Sequence, residues 1–167
     1  KYDSVIVAAG VYSQIKLGIE NEEYGVRGLE FLKNFKKYNL KGKNVAISGG
    51  GAVASDCATV ALRMGAASVE IFTRKNIGDI QLPQKELNDT IERRVNINGR
   101  MKIKRIIVKN KKVSAVSFVK LDMDGNEIDN SEQLRDDIGF VILAIKNVGT
   151  IEKKNIKGLF YCGDLKN

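Results

Sequence analysis

Histidine is absent from all 167 residues, which removes His-based catalytic triads and histidine metal sites while leaving carboxylate chemistry open. Cysteine is scarce. Cys57 and Cys162 lie far apart and form no C-x-x-C pair, so no disulfide framework is expected, in keeping with a reducing cytoplasm. Both read as small buried thiols. Aromatic residues make up 7% and do not interleave with the basic residues, so there is no stacking platform for single-stranded nucleic acid. No apolar run reaches membrane-spanning length, and no signal-peptide pattern precedes the first strand. The chain opens at Lys1-Tyr2 without an initiator Met and is expected to be a piece of a longer protein.

What is abundant is positive charge: a formal net charge of +8. Its distribution argues against nucleic acid as partner. Lys102, Lys104, Lys109, Lys111 and Lys112 punctuate Ile103, Ile106, Ile107, Val108 and Val113, the pattern of solvated strand faces and turns. The chain has no internal repeat and no low-complexity segment.

The densest information lies in residues 44–75. An apolar strand, Asn-Val-Ala-Ile-Ser, runs into Gly49-Gly50-Gly51-Ala52-Val53-Ala54, then a small-residue helix to Gly65. A second strand, Ser-Val-Glu-Ile-Phe, leads to Thr73-Arg74-Lys75. This is G-x-G-x-x-A in strand–turn–helix context, the dinucleotide fingerprint. Gly49 permits the tight turn out of the strand, and Gly51 permits close backbone approach to a pyrophosphate. Ala54 lets the helix pack on the sheet. The helix start offers free N–H groups and partial positive charge to phosphates. At the end of the second strand an NAD site usually carries Asp or Glu for the ribose 2′-OH. Here stand Arg74 and Lys75, with Glu70 too early in the strand. A 2′-phosphate suits this pair, Arg bidentately and Lys as a point charge, so NADP is the expected nucleotide.

Elsewhere, residues 2–10 read as a buried strand ending at Gly10. Residues 28–39 read as a helix with Leu29, Leu32, Phe35 and Leu40 on its apolar side. Pro83, the only proline, opens a helix over 84–94. Segments 101–109 and 112–122 form a hairpin across Asn110-Lys111. Asp124-Gly125-Asn126 turns into a short strand near 127–129, and 130–137 reads as loop. Residues 140–145 make a fully buried parallel strand, and 159–162 a last short one.

These elements, in this order, resemble the pyridine nucleotide-disulfide oxidoreductase superfamily. They look most like the NADPH-binding part of glutamate synthase small (β) subunits and dihydropyrimidine dehydrogenase-like flavoproteins. Tyr-Asp-Ser-Val-Ile-Val-Ala-Ala-Gly at the start is similar to Y-D-A-V-x-x-A-T-G. Residues 49–56 are similar to G-G-G-N-V-A-M-D, residues 61–66 to A-L-R-L-G-A, and residues 72–75 to V-Y-R-R. Leu82-Pro83 falls where the group has Met-Pro. Val141 to Ile145 matches V-I-L-A-I, and Leu159 to Asp164 resembles the closing flavin motif G-x-F-A-x-G-D. The resemblance implies an α/β, three-layer Rossmann-like dinucleotide-binding domain with a parallel sheet and a small antiparallel β-meander from about 101–129. It implies one NAD(P)-binding domain over 1–167, a fragment of a larger FAD/NAD(P) oxidoreductase. Segments 1–40 and 146–167 would then be connections toward a missing FAD domain, with the two chain ends close together. NADPH would lie on Gly49, Gly50, Gly51, Ala52, Val53 and Ala54, with Arg74 and Lys75 at its 2′-phosphate. Gly10, Ala144, Ile145, Gly163 and Asp164 would complete the cofactor contacts, Asp164 at the flavin's ribityl-phosphate region. Hydride would pass from nicotinamide to N5 of FAD, and no side chain need act as acid or base. Electrons would go on to a partner such as an iron–sulfur or amidotransferase subunit.

Two alternatives stay open. Lys146 stands where the group has the glycine of A-I-G, and the 146–159 connection is short, which suits a nucleotide-sensing or interaction module without redox turnover. An S-adenosylmethionine methyltransferase shares the glycine turn, but would want an acid where Thr73-Arg74 stands.

Overall fold

A computed structural model describes residues 2–10, 13–80, 82–145, 147–148 and 151–163. Along the chain the elements are β1 (Val5–Val7), β2 (Ser13–Gln14), β3 (Val26–Arg27), α1 (Gly28–Asn34), β4 (Asn44–Ser48), α2 (Ala52–Arg63) and β5 (Ser68–Thr73). There follow α3 (Gln84–Glu92), β6 (Asn96–Gly99), β7 (Met101–Lys109), β8 (Lys112–Lys120), β9 (Gln133–Arg135), β10 (Ile138–Leu143), β11 (Asn147–Val148) and β12 (Leu159–Tyr161). Contacts divide the chain into two units, residues 16–145 and residues 1–15 with 146–167.

In the larger unit β4, β5 and β10 are nearly continuous apolar runs, as strands buried on both faces require. They form a parallel sheet in the order β3-β10-β4-β5-β6, with the fingerprint strand β4 central. Alternation along each strand divides its side chains between two cores. Val45, Ile47, Val69, Ile71 and Ile142 face the helices, where α2 presents Ala54, Cys57, Ala58 and Ala61 at helical spacing. Ala46, Phe72, Val141 and Leu143 face the antiparallel meander β7-β8-β9, whose Ile103, Ile106, Val116 and Phe118 complete the second core. The three layers are therefore helices, parallel sheet and meander.

Helix α2 ends in a Schellman motif. Gly65 takes the left-handed conformation (φ +83°), its N–H donates to the Leu62 carbonyl, and the Ala66 N–H donates to Ala61. The β7–β8 hairpin turns through Asn110 and Lys111, both at positive φ (+51° and +59°), as a two-residue primed turn requires.

Several sequence expectations need correction. Helix 28–39 stops at Asn34 and continues as a 3₁₀ turn, Phe35–Lys37. Its deepest residue is Phe31, whose ring meets Tyr38 (5.8 Å) and Phe140 (6.1 Å); Leu29 is 43% exposed. The helix over 84–94 ends at Glu92. The third meander strand is β9, within the expected loop, whereas 127–129 contributes a single bridge, Leu121 to Glu127. The cause is local. The Asp122 carboxylate accepts the Asp124 and Asn126 N–H groups, which folds 122–126 tightly and delays the third strand. Four short strands, β2, β3, β6 and β11, fall outside the sequence expectations.

In the smaller unit β1 pairs in parallel with β12, which sets residues 5–7 beside residues 159–161, and β2 pairs antiparallel with β11. The buried strand expected at 2–10 is short and exposed, with Val5 at 50% and Ile6 at 69%, because the β1–β12 pair has no further strand neighbour among the described residues. Cys162 is likewise exposed, not buried, while Cys57 is buried.

Candidate dinucleotide-binding site

The three glycines after β4 meet three different surroundings. Gly49 sits at φ +139° with its N–H donating to the Phe72 carbonyl (2.9 Å), and a Cβ there would strike the carbonyl of Ala144. A Cβ on Gly50 would strike Thr73 Oγ1 and Cβ. Gly51 has an ordinary negative φ (−108°), and a Cβ on it would meet nothing within 4 Å among the described residues. The fold thus demands glycine at 49 and 50. At 51 it leaves open space directly above the start of α2.

That helix start is bare. No side chain caps it and its first turn holds no acidic residue, so its leading N–H groups and about half a positive charge are offered outward. Ala52 is exposed, Val53 half-buried, and Ala54 fully buried against the sheet. Gly28 lets α1 close in beside the turn, since its Cβ would come within 2.9 Å of Val53 Cγ1 and 3.1 Å of Ala144 Cα. Ala144, 8% exposed, continues the β10 ladder by donating its N–H to the Ser48 carbonyl (2.7 Å), and the half-buried Ile145 follows it.

Thr73 ends β5 at 3% exposure, and its Oγ1 accepts the Lys75 N–H at 3.3 Å. This side-chain turn, legible as Thr-x-Lys but missed in the sequence, directs the chain out of the sheet. Arg74 and Lys75 are exposed, and neither joins an ion pair among the described residues. Glu70 is engaged elsewhere: its carboxylate receives Asn98 Nδ2 (3.1 Å) and Arg135 Nε (3.4 Å). Its position inside β5 thus commits it to Asn98 on β6 and Arg135 on β9. Burial pushes the Cys57 thiol up to about 12, with the Asp56 charge adding to the effect, so it is inert packing behind the loop.

The glycine turn, the α2 start, the Arg74–Lys75 turn and Ala144–Ile145 therefore converge at the carboxyl ends of β4, β5 and β10. That is the edge where open α/β sheets take ligands. Gly10 and Gly163 belong to the smaller unit. They follow β1 and β12 and are both left-handed (φ +68° and +66°). Asp164 and Lys146 lie outside the described residues.

Comparison with known proteins agrees with this geometry. The family model of the pyridine nucleotide-disulphide oxidoreductases matches residues 1–140, and the chain belongs to that family. The cofactors that family implies are FAD and NADP. Among curated proteins it is 37% identical over 95 residues to the NADP(+)-dependent formate dehydrogenase subunit beta of Moorella thermoacetica, covering 53% of this chain and 13% of that one. To the Escherichia coli glutamate synthase [NADPH] small chain it is 30% identical over 138 residues, covering 73% and 29%. The chain thus spans under a third of the length of either relative. Thioredoxin reductase from T. acidophilum superimposes with a TM-score of 0.73 at 16% identity, covering 97% of this chain and 57% of that one, a likeness of fold. No described helix is long and apolar enough to cross a membrane, and no group of three potential ligands for a metal ion occurs among the described residues.

Proposed function

We propose that the chain is the NADPH-binding part of an FAD-dependent oxidoreductase of the glutamate-synthase small-subunit type. The observation that carries this reading is Gly51. Positions 49 and 50 are glycines because protein atoms crowd them, whereas position 51 is open and conformationally ordinary. A pyrophosphate lying against that backbone accounts for the missing side chain, and the uncapped α2 start would hold its charge.

Arg74 and Lys75 support NADPH over NADH. Two exposed cations that join no ion pair among the described residues stand where a 2′-phosphate would reach, and Glu70, the acid within β5, is occupied by Arg135 and Asn98. Charge-assisted hydrogen bonds of about 1.5–3 kcal/mol correspond to roughly ten- to hundredfold preference. When bound, the nucleotide supplies a hydride and a flavin is its acceptor. This chain's own residues bind and orient. The 49–51 backbone and the α2 start hold the diphosphate, Thr73 holds the cation turn in shape, and Ala144 walls the glycine turn. Gly10, Gly163 and Asp164 are assigned to the flavin side, which a longer protein would complete, with an iron–sulfur or amidotransferase subunit as onward partner.

Isothermal titration of the chain with NADPH and NADH tests the reading. Binding of NADPH at least about tenfold tighter is expected. Equal affinity, or none for either, would refute it. In the full-length protein, a yellow flavoprotein bleached by NADPH is expected; a colourless nucleotide binder would instead indicate a sensing module.

A further inference from the structure

We propose that Arg100, 25 residues beyond Lys75, is the third cation of the 2′-phosphate cradle and a determinant of nucleotide specificity. This deepens, and rests on, the NADPH reading above. Strands β5 and β6 run parallel with Thr73 opposite Gly99, the last pair of the ladder, so Arg100 leaves β6 at the same edge where Arg74 and Lys75 leave β5. The approach is close. A Cβ on Gly99 would fall 2.9 Å from Ile77 Cγ1, 3.1 Å from Ile77 N and 3.3 Å from the Lys75 carbonyl oxygen, so the segment after β5 lies directly on Gly99. The Arg100 N–H then donates to the Lys75 carbonyl at 3.0 Å, and the Arg100 carbonyl accepts from Leu121 N at 2.7 Å. Both backbone groups of Arg100 are thereby fixed at the carboxyl edge of the sheet.

The identity of the residue asks for a reason. Arg100 has φ +51° at the junction where the chain leaves the parallel sheet for the meander. The left-handed region favours glycine, asparagine or aspartate, and an arginine is at a disadvantage there. Its charge is also unmatched. Arg74, Lys75 and Arg100 form no ion pair among the described residues, whereas nearby Lys102 and Lys104 share Glu127 and Arg105 holds Glu132. Three cations whose backbones meet at one sheet edge offer an anion several charge-assisted donors, and a dianionic sugar phosphate is an anion that suits such a set.

Arg100→Asn and Arg100→Gly remove the charge with a residue that suits the left-handed backbone, so both should fold at least as well as the parent. The chain and its variants would be titrated with NADPH, NADH, 2′,5′-ADP and 5′-ADP. Both variants are expected to bind NADPH and 2′,5′-ADP about tenfold more weakly, with NADH and 5′-ADP changed less than about twofold, and Arg100→Lys is expected to restore most of the loss. Equal weakening of all four ligands would mark a structural role and overturn the proposal, as would unchanged NADPH affinity. Arg74→Ala separates this from the parent reading. A preference for the phosphorylated ligands that Arg74→Ala abolishes but Arg100→Asn leaves intact defeats the Arg100 role alone. A parent chain with no such preference defeats both.

Discussion

The turn after β4 is walled in by protein at two of its three glycines, whereas the turn after β5 projects two cations into solvent above one buried threonine. Both stand at the same edge of one sheet, yet different forces fix them. Sterics dictate the first: Ala144 and Thr73 leave no room for a Cβ at 49 or 50. The second is shaped by the Thr73 hydroxyl accepting the Lys75 N–H and by the Lys75 carbonyl accepting from Arg100, and its cations join no ion pair among the described residues. A substitution in the first turn should therefore register as stability, and one in the second as ligand preference. Gly51 belongs to the first turn by position and to the second by behaviour.

The largest effect expected is from Gly49→Ala. The methyl group would meet the Ala144 carbonyl in a backbone conformation that L-residues rarely adopt. Overpacking and strain together predict a loss of about 2–5 kcal/mol, read by urea unfolding. An unchanged midpoint would mean that Ala144 yields and that the turn is not sterically fixed. Gly51→Ala sharpens the contrast. With no atom near its Cβ and a negative φ, its stability should stay within about 0.5 kcal/mol of the parent. Its NADPH affinity should nonetheless fall about tenfold or more. Were binding unaffected, the open space would not be where the diphosphate lies.

The same division explains what could be read from the amino acids alone. Strands β4, β5 and β10 are largely apolar runs, and the glycine spacing falls between two of them, so the sheet's centre and its loop were legible. The β7–β8 hairpin was equally plain, because Asn110-Lys111 interrupts two alternating segments. Strand β9 was hidden. Gln133-Leu134-Arg135 has no strand-like pattern, and Arg135 is anchored only in three dimensions, by Glu70 and by the face of Phe118 (5.2 Å). Phe31 outranked Leu29 because the helix breaks at Asn34 and its aromatic partner, Phe140, lies over a hundred residues away. Arg100 was invisible for a related reason: its place depends on the β5–β6 register, and β6 is a four-residue Asn-Ile-Asn-Gly strand with little apolar signal. Local chemistry announced the loop, while pairings between distant segments supplied its surroundings.

The smallest effect concerns cations that do have partners, the counterexample to Arg74, Lys75 and Arg100. Hydrogen bonds from Lys102 and then Lys104 hold the Glu127 carboxyl at about 2, below its ordinary 4.5. A carboxyl depressed in the folded state contributes stability that is present above about pH 4.5 and lost as pH falls toward about 2. Glu127→Gln should therefore flatten part of the acid limb of a stability-against-pH curve and leave nucleotide binding untouched. Only part would go. Asp122 is also held low, chiefly by the Asn126 N–H, and Glu132 is held low chiefly by Ser117 and by Arg105. Because Glu127 is exposed and salt screens such pairs, the difference between variant and parent should shrink at high ionic strength. A change in NADPH affinity in Glu127→Gln would mean that charge on the meander reaches the cation turn, and the separation between paired and unpaired cations would no longer hold.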